Sequence, residues 1–142
     1  MTVAAILEAK GTAVVTARVD QPVGEVLALL AERRIGALPV MDGETVAGVL
    51  SERDIIYGLN ERGAEILKMK AGEVMTAPAI TVAREQTALN ALAMMTRRRI
   101  RHLPVVENGR LIGLVSIGDL VARRINRIEH EAEAMREYIA GA

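Results

Sequence analysis

The chain carries one twenty-residue pattern twice: Ile35–Asp54 reads IGALPVMDGETVAGVLSERD, and Ile100–Asp119 reads IRHLPVVENGRLIGLVSIGD. Displacing the sequence by 65 positions pairs Val15–Ile56 with Ile80–Val121 without a gap, and thirteen of the forty-two pairs are identical. A repeat this long restricts the chain to an architecture of two like units. Most identical pairs, such as Leu27/Leu92, Val40/Val105 and Gly48/Gly113, are apolar or shape the backbone. Ser51/Ser116 and Asp54/Asp119 are polar, and they need a chemical account.

At 142 residues the chain has the length of one ordinary domain. Each unit alone would span about 60 to 65 residues, where burial is marginal, so the units are expected to share one core. Apolar residues make up 51%, with two Tyr and no Phe or Trp, so that core is built from aliphatic side chains and Met. The scattered Met residues read as gap-filling core.

Composition also narrows the functions open to the chain. Few aromatics argue against base stacking, and eighteen basic residues cancelled by eighteen acidic ones remove a bulk attraction to nucleic acid or anionic membrane. Without Cys there is no disulfide, thiolate metal site or catalytic thiol, which suits a reducing cytoplasm. The N-terminus does not read as a signal peptide, and no apolar run reaches membrane-spanning length, so a soluble, cytoplasmic protein is expected.

In chain order, Val3, Ile6 and Leu7 suggest a short helix closed by Gly11, lying on the module's flank. The run AVVTA predicts a strand ending at Thr16, and Asp20-Gln21-Pro22 a helix start with Asp20 as cap, its apolar face formed by Val23, Val26, Leu27 and Leu30. Ala37–Met41 and Thr45–Leu50 read as strands joined by a tight Asp42-Gly43 turn, and Ser51 opens a second helix. One unit is thus β-α-β-β-α, with a parallel crossover and an antiparallel hairpin.

The second unit follows the same scheme, with a strand at Ala79–Thr81 and its turn, Asn108-Gly109, one residue later. The expected limits are an N-terminal helix over 1–11, units over 12–60 and 75–128, a connector over 61–74 and a helical extension over 129–142. In the last helix Val121, Ile125, Ile128, Ala132, Met135 and Ile139 recur at alternating spacings of four and three. That seam either covers its own module or pairs with a second copy.

Tandem β-α-β-β-α units carrying (I)xxLPV, a Gly-containing turn and GxxSxxD resemble a pair of cystathionine-β-synthase (CBS) domains over nearly the whole chain. The resemblance implies a mixed-sheet α/β (α+β) fold, two repeats packed around a pseudo-twofold axis, and two clefts between them. It further implies a regulatory module that binds an adenosine-containing ligand: AMP first, then NAD(H), ATP/ADP or S-adenosylmethionine. A homodimer acting on an unidentified protein target is expected, with no nucleic acid or membrane involved.

Taken alone, Ser51-x-x-Asp54 and Ser116-x-x-Asp119 are also ordinary capping boxes. Their duplication behind Gly48 and Gly113 points further, since glycine lets a ligand approach the backbone and an Asp offers two oxygens to the adjacent hydroxyls of a ribose. Ser hydroxyls and helix N-terminal amides suit phosphate.

By resemblance Asp54 and Asp119 are ribose anchors, Ser51 and Ser116 their phosphate or ribose neighbours, Thr16 and Thr81 lie where backbone meets adenine, and Ile80 is a further ligand-binding position. Gly36-Ala37 and Arg101-His102, with Leu38-Pro39 and Leu103-Pro104 behind them, match a ligand-lining edge. Arg53 precedes one Asp and Gly118 the other, so the two clefts are expected to draw on different cations and to bind unequally. Arg33-Arg34 and Arg97–Arg99 read as helix-terminal cations, one of which per copy could reach phosphate.

An enzyme is not expected: GxxxxGK[ST], GxGxxG and HExxH are absent, and GLVSIG misses the nucleophile-elbow spacing. The alternative to a ligand sensor is a ligand-free dimerisation scaffold.

Overall fold

Two antiparallel hairpins with the same register anchor the halves of the molecule. In the computed structural model, which describes residues 1–141 apart from the side chains of Arg124 and Ile125, these are β2 (Ala37–Asp42) with β3 (Thr45–Ser51), and β4 (His102–Glu107) with β5 (Arg110–Ser116). Asp42 faces Thr45 and Glu107 faces Arg110, so both loops have two residues and sit at equivalent positions. The expected one-residue offset is therefore corrected. The loops are Gly43-Glu44 and Asn108-Gly109, and the sequence signal misled because the positive φ falls on Gly43 alone in the first and on both residues in the second. Each hairpin also bulges at one equivalent place, between Val40 and Met41 and between Val105 and Val106.

Strand β1 is only Ala17–Arg18, parallel to Val40 and Met41, so it starts just after the predicted strand ends at Thr16. In the second half the parallel pairing shrinks to a single bridge, Val82 to Val105, in place of the expected strand at Ala79–Thr81. Helix α2 (Val23–Arg33) is preceded by Pro22, not capped by Asp20, which pairs instead with the Arg18 side chain at 3.2 Å. Helix α5 (Ala88–Arg98) is the second-half counterpart. Both helices end on an arginine in the left-handed region, Arg34 and Arg99, each with φ 54°. The chain turns there into β2 and β4.

Helix α3 (Glu52–Arg62) leads through a 3-10 segment (Gly63–Lys68) into the one-turn α4 (Ala71–Val74), and α6 (Ile117–Gly141) closes the chain. Helix α1 (Val3–Lys10) is the structural counterpart of α4. The Val3 and Ala4 amides donate to the Gln86 and Arg84 carbonyls at 2.8 and 2.9 Å, and those of Ala71 and Gly72 donate to Gln21 and Val19 at 2.7 and 2.9 Å.

Each half has its own core, which corrects the expectation of a shared one. Val23, Val26, Leu30, Leu38, Val40, Leu50 and Ile55 pack with Ile66 and Ala71. Val82, Ala91, Met95, Leu103, Val105, Val115 and Leu120 pack with Val3, Ile6 and Leu7. Thus α1, which precedes the first unit, completes the second core and does not merely lie on a flank. The connector, which precedes the second unit, completes the first. Leu27, expected on the inner face of α2, is exposed.

Glycine permits a close approach at the same point of the repeat in each half. A Cβ on Gly48 would lie 2.6 Å from the Thr76 carbonyl oxygen, which is fixed by its bond to Val49, whereas one on Gly113 would meet the movable end of Leu7. Gly48→Ala should therefore cost about 1–3 kcal/mol and Gly113→Ala less, as read from urea denaturation midpoints.

Candidate functional site

Each carboxylate of the duplicated motif begins with a structural role. At the start of α3, the Ser51 amide and hydroxyl donate to Asp54 Oδ2 at 2.9 and 3.0 Å, while the Asp54 amide donates to Ser51 Oγ at 3.2 Å. At the start of α6, the Ser116 amide donates to Asp119 Oδ2 at 2.8 Å and the Asp119 amide to Ser116 Oγ at 3.1 Å. The capping-box reading is thus realised twice, each box being worth about 1 kcal/mol. What remains of each carboxylate differs. Asp54 Oδ1 accepts from the Thr76 hydroxyl at 2.9 Å. Asp119 Oδ2 accepts also from Lys10 Nζ at 2.7 Å, and Asp119 Oδ1 has no protein donor among the described residues.

Beside Asp54 lies a cleft of about 420 Å³ between the two halves. It gathers Gly36, Ala37, Ser51, Arg53, Asp54, Ile80, Arg101 and His102 of the predicted site. The cations are not divided between clefts as the sequence suggested: Arg53 of the first unit and Arg99 and Arg101 of the second face the same space, with His102 beside them. The reason is topological, because the α5–β4 corner crosses to the Asp54 side. Arg53 spans the junction, donating to the Arg99 carbonyl at 3.1 Å. Apolar walls come from Val49, Ile56, Tyr57, Ile80 and Ile100.

Other predicted residues lie elsewhere. Leu38 and Leu103 are wholly buried in their own cores, and Pro39 and Pro104, which alternate onto the opposite face of β2 and β4, are buried too. Thr81 is exposed one residue beyond the lining Ile80, and Thr16 is exposed just before β1. Ser116, Gly118 and Asp119 belong to the opposite side, where Lys10 sits.

Sequence reasoning missed Thr76, Pro78, Ala79, Tyr57 and Arg99 as lining residues, and Lys10 altogether. Thr76 to Ala79 precede the repeated block, which begins at Ile80, and Lys10 also stands outside it. The Lys10–Asp119 pair is partly solvated, so it is worth about 1 kcal/mol or less.

His102 stands between the two sides, with its ring carbon 3.7 Å from where a Gly36 Cβ would be. Burial first and the Lys10 ammonium second hold its pKa below the ordinary 6.5, against the pull of Asp119 and Glu52. Burial pushes Asp119 up, but the Lys10 and Ser116 hydrogen bonds outweigh it and leave that carboxyl below its usual value. The pocket sets three arginines and an acceptor for hydroxyls beside an apolar wall, with Glu52 and Asp54 as its acidic members. Among the described residues no cluster of His, Asp or Glu could hold a metal.

The model of the CBS domain matches residues 10–61 and 71–126. This chain belongs to the CBS domain family. Among solved structures, the CBS-domain containing protein ATU1752 from Agrobacterium tumefaciens is 37% identical with TM-score 0.84, covering 87% of this chain and 99% of that one. A protein with CBS domains from Burkholderia ambifaria is 42% identical with TM-score 0.81, covering 89% and 95%. The mitochondrial CBS domain-containing protein CBSX3 of Arabidopsis thaliana is 33% identical over 127 residues, and the match takes in 86% of this chain but 62% of that protein. The CBS pair explains both the duplicated motif and the mixed sheets. No helix among the described residues is long and apolar enough to cross a membrane.

Depressed pKa values mean that the unfolded chain takes up protons first, so stability is lost on acidification. For His102 the loss begins as the pH falls through 6.5, and for Asp119 only below 3.8. The urea midpoint should drop from pH 7 to pH 5, and His102→Gln should flatten that slope while leaving the loss below pH 4 in place.

Proposed function

We propose that this CBS pair is a regulatory module that binds one of the adenosine-containing ligands, AMP first, in the cleft beside Asp54, and that it is not itself an enzyme. A single observation carries the reading: Asp54 sits on the rim of a cleft that also holds Arg53, Arg99, Arg101 and His102 and an apolar wall. A ribose hydroxyl would take the place of the Thr76 hydroxyl on Asp54 Oδ1, phosphate would face the arginines, and adenine would lie against Ile80, Tyr57 and Ile100. Local cations without a bulk positive charge favour the monophosphate over ATP/ADP, NAD(H) or S-adenosylmethionine. Of the structural neighbours, CBSX2 is described in complex with AMP, at 27% identity and TM-score 0.70. Ser51 and Ile80 complete the proposed contacts, and a chain without Cys suits a reducing compartment such as the cytoplasm.

A ligand that prefers the folded state raises stability by about 2.7 kcal/mol at a hundred times its Kd. AMP at that excess should raise Tm by roughly 5–10 °C. Asp54→Ala should weaken binding at least about tenfold and remove about half of that rise or more, since hydrogen bonds to a charged acceptor are worth about 1.5–3 kcal/mol each. If no adenosine compound shifts Tm, the scaffold reading replaces this one.

Pairing with a second copy through α6 is part of the proposal, as is an unidentified protein target. The seam residues Val121, Ile128, Met135 and Ile139 are 43%, 51%, 59% and 66% exposed, so this face does not cover its own module, while the side chain of Ile125 lies outside the described residues. Met135→Glu should convert the dimer to a monomer in light scattering without moving the AMP titration.

A further inference from the structure

We infer that Lys10 closes the Asp119 cleft, so that the chain takes one adenosine nucleotide, on the Asp54 side, and not two. The inference rests on the ligand reading above. It comes from a length difference between two otherwise equivalent segments. Residues Met1 to Ala4 match Met69 to Gly72 bond for bond: Ala88 donates to the Met1 carbonyl as Val23 does to that of Met69, and the bridge Thr2–Thr87 repeats as Lys70–Pro22. That correspondence is displaced by 68 positions, whereas the repeated motif is displaced by 65. The first half therefore holds three extra residues between these points, close to one helical turn. They appear as added length in α1, which has eight residues against four in α4.

The extra turn decides what each carboxylate meets. On the Asp54 side, α4 ends, Met75 lies on Gly48, and Thr76 leaves the helix. The Thr76 amide donates to the Val49 carbonyl at 2.9 Å, and its hydroxyl donates to Asp54. On the Asp119 side, Leu7 lies on Gly113 as Met75 does on Gly48, but the helix runs on to Lys10. One ammonium then serves both acceptors, Leu114 O at 2.9 Å, which corresponds to Val49 O, and Asp119 Oδ2 at 2.7 Å. A neutral Thr hydroxyl exchanges readily for a sugar hydroxyl. Lys10 on Asp119 Oδ2 does not, because a diol supplies no compensating charge, and its ammonium stands next to the Oδ1 that a ribose would need. A site open only a fraction of the time binds with its intrinsic Kd divided by that fraction.

Titration calorimetry with AMP tests this on the whole protein. The natural chain should bind one equivalent. Lys10→Ala should bind two, and Lys10→Ala combined with Asp119→Ala should return to one. Lys10→Met, which keeps most of the side-chain stem, provides a second variant should the alanine form melt early. Two equivalents in the natural chain, or one in both Lys10 variants, would overturn the inference while leaving the nucleotide reading intact. No binding in the natural chain would defeat that reading, and this inference with it.

Discussion

The structure depends on a mutual loan of apolar surface. Val3, Ile6 and Leu7 lie in the core of the second half, and Ile66 and Ala71 lie in the core of the first. A β-α-β-β-α unit of this size buries too little by itself. Taking a helix from the segment that precedes the other unit makes each half incomplete without the whole chain. That exchange fixes how the hairpins meet, and the meeting of the hairpins leaves the cleft.

The polar motif is economical in a physical sense. Ser51 and Asp54 end a strand, start a helix and stand at a cleft with the same atoms. Arg53 then reaches across to the carbonyl of Arg99, a residue held in the left-handed region that turns the chain toward Arg101 and His102. The cationic edge is therefore positioned by backbone shape and by a contact between halves. His102 feels charges from both sides, Glu52 on one and Lys10 and Asp119 on the other.

Much of this was legible in the residues. The hairpins announce themselves through alternating apolar positions and Gly-containing turns, and the displacement by 65 exposes the duplication together with Asp54 and Asp119. Other features were not legible. The β-branched run before Ala17 suggested a longer strand, but pairing with Val40 and Met41 selects only Ala17 and Arg18. Leu38, Pro39, Leu103 and Pro104 adjoin the lining edge in sequence, yet all four are buried, the leucines in their own cores. The mixing of cations from both units in one cleft, and the reach of Thr76 and Lys10, depend on tertiary crossings that leave no local signature.

The unequal lengths of α1 and α4 carry a consequence for duplicated proteins of this kind. The chain keeps Gly, Ser and Asp at the same places in both copies, and by that measure the copies are twins. A single added turn outside the motif is enough to give them different neighbours. Divergence after duplication can therefore proceed by spacer length, leaving every signature residue in place.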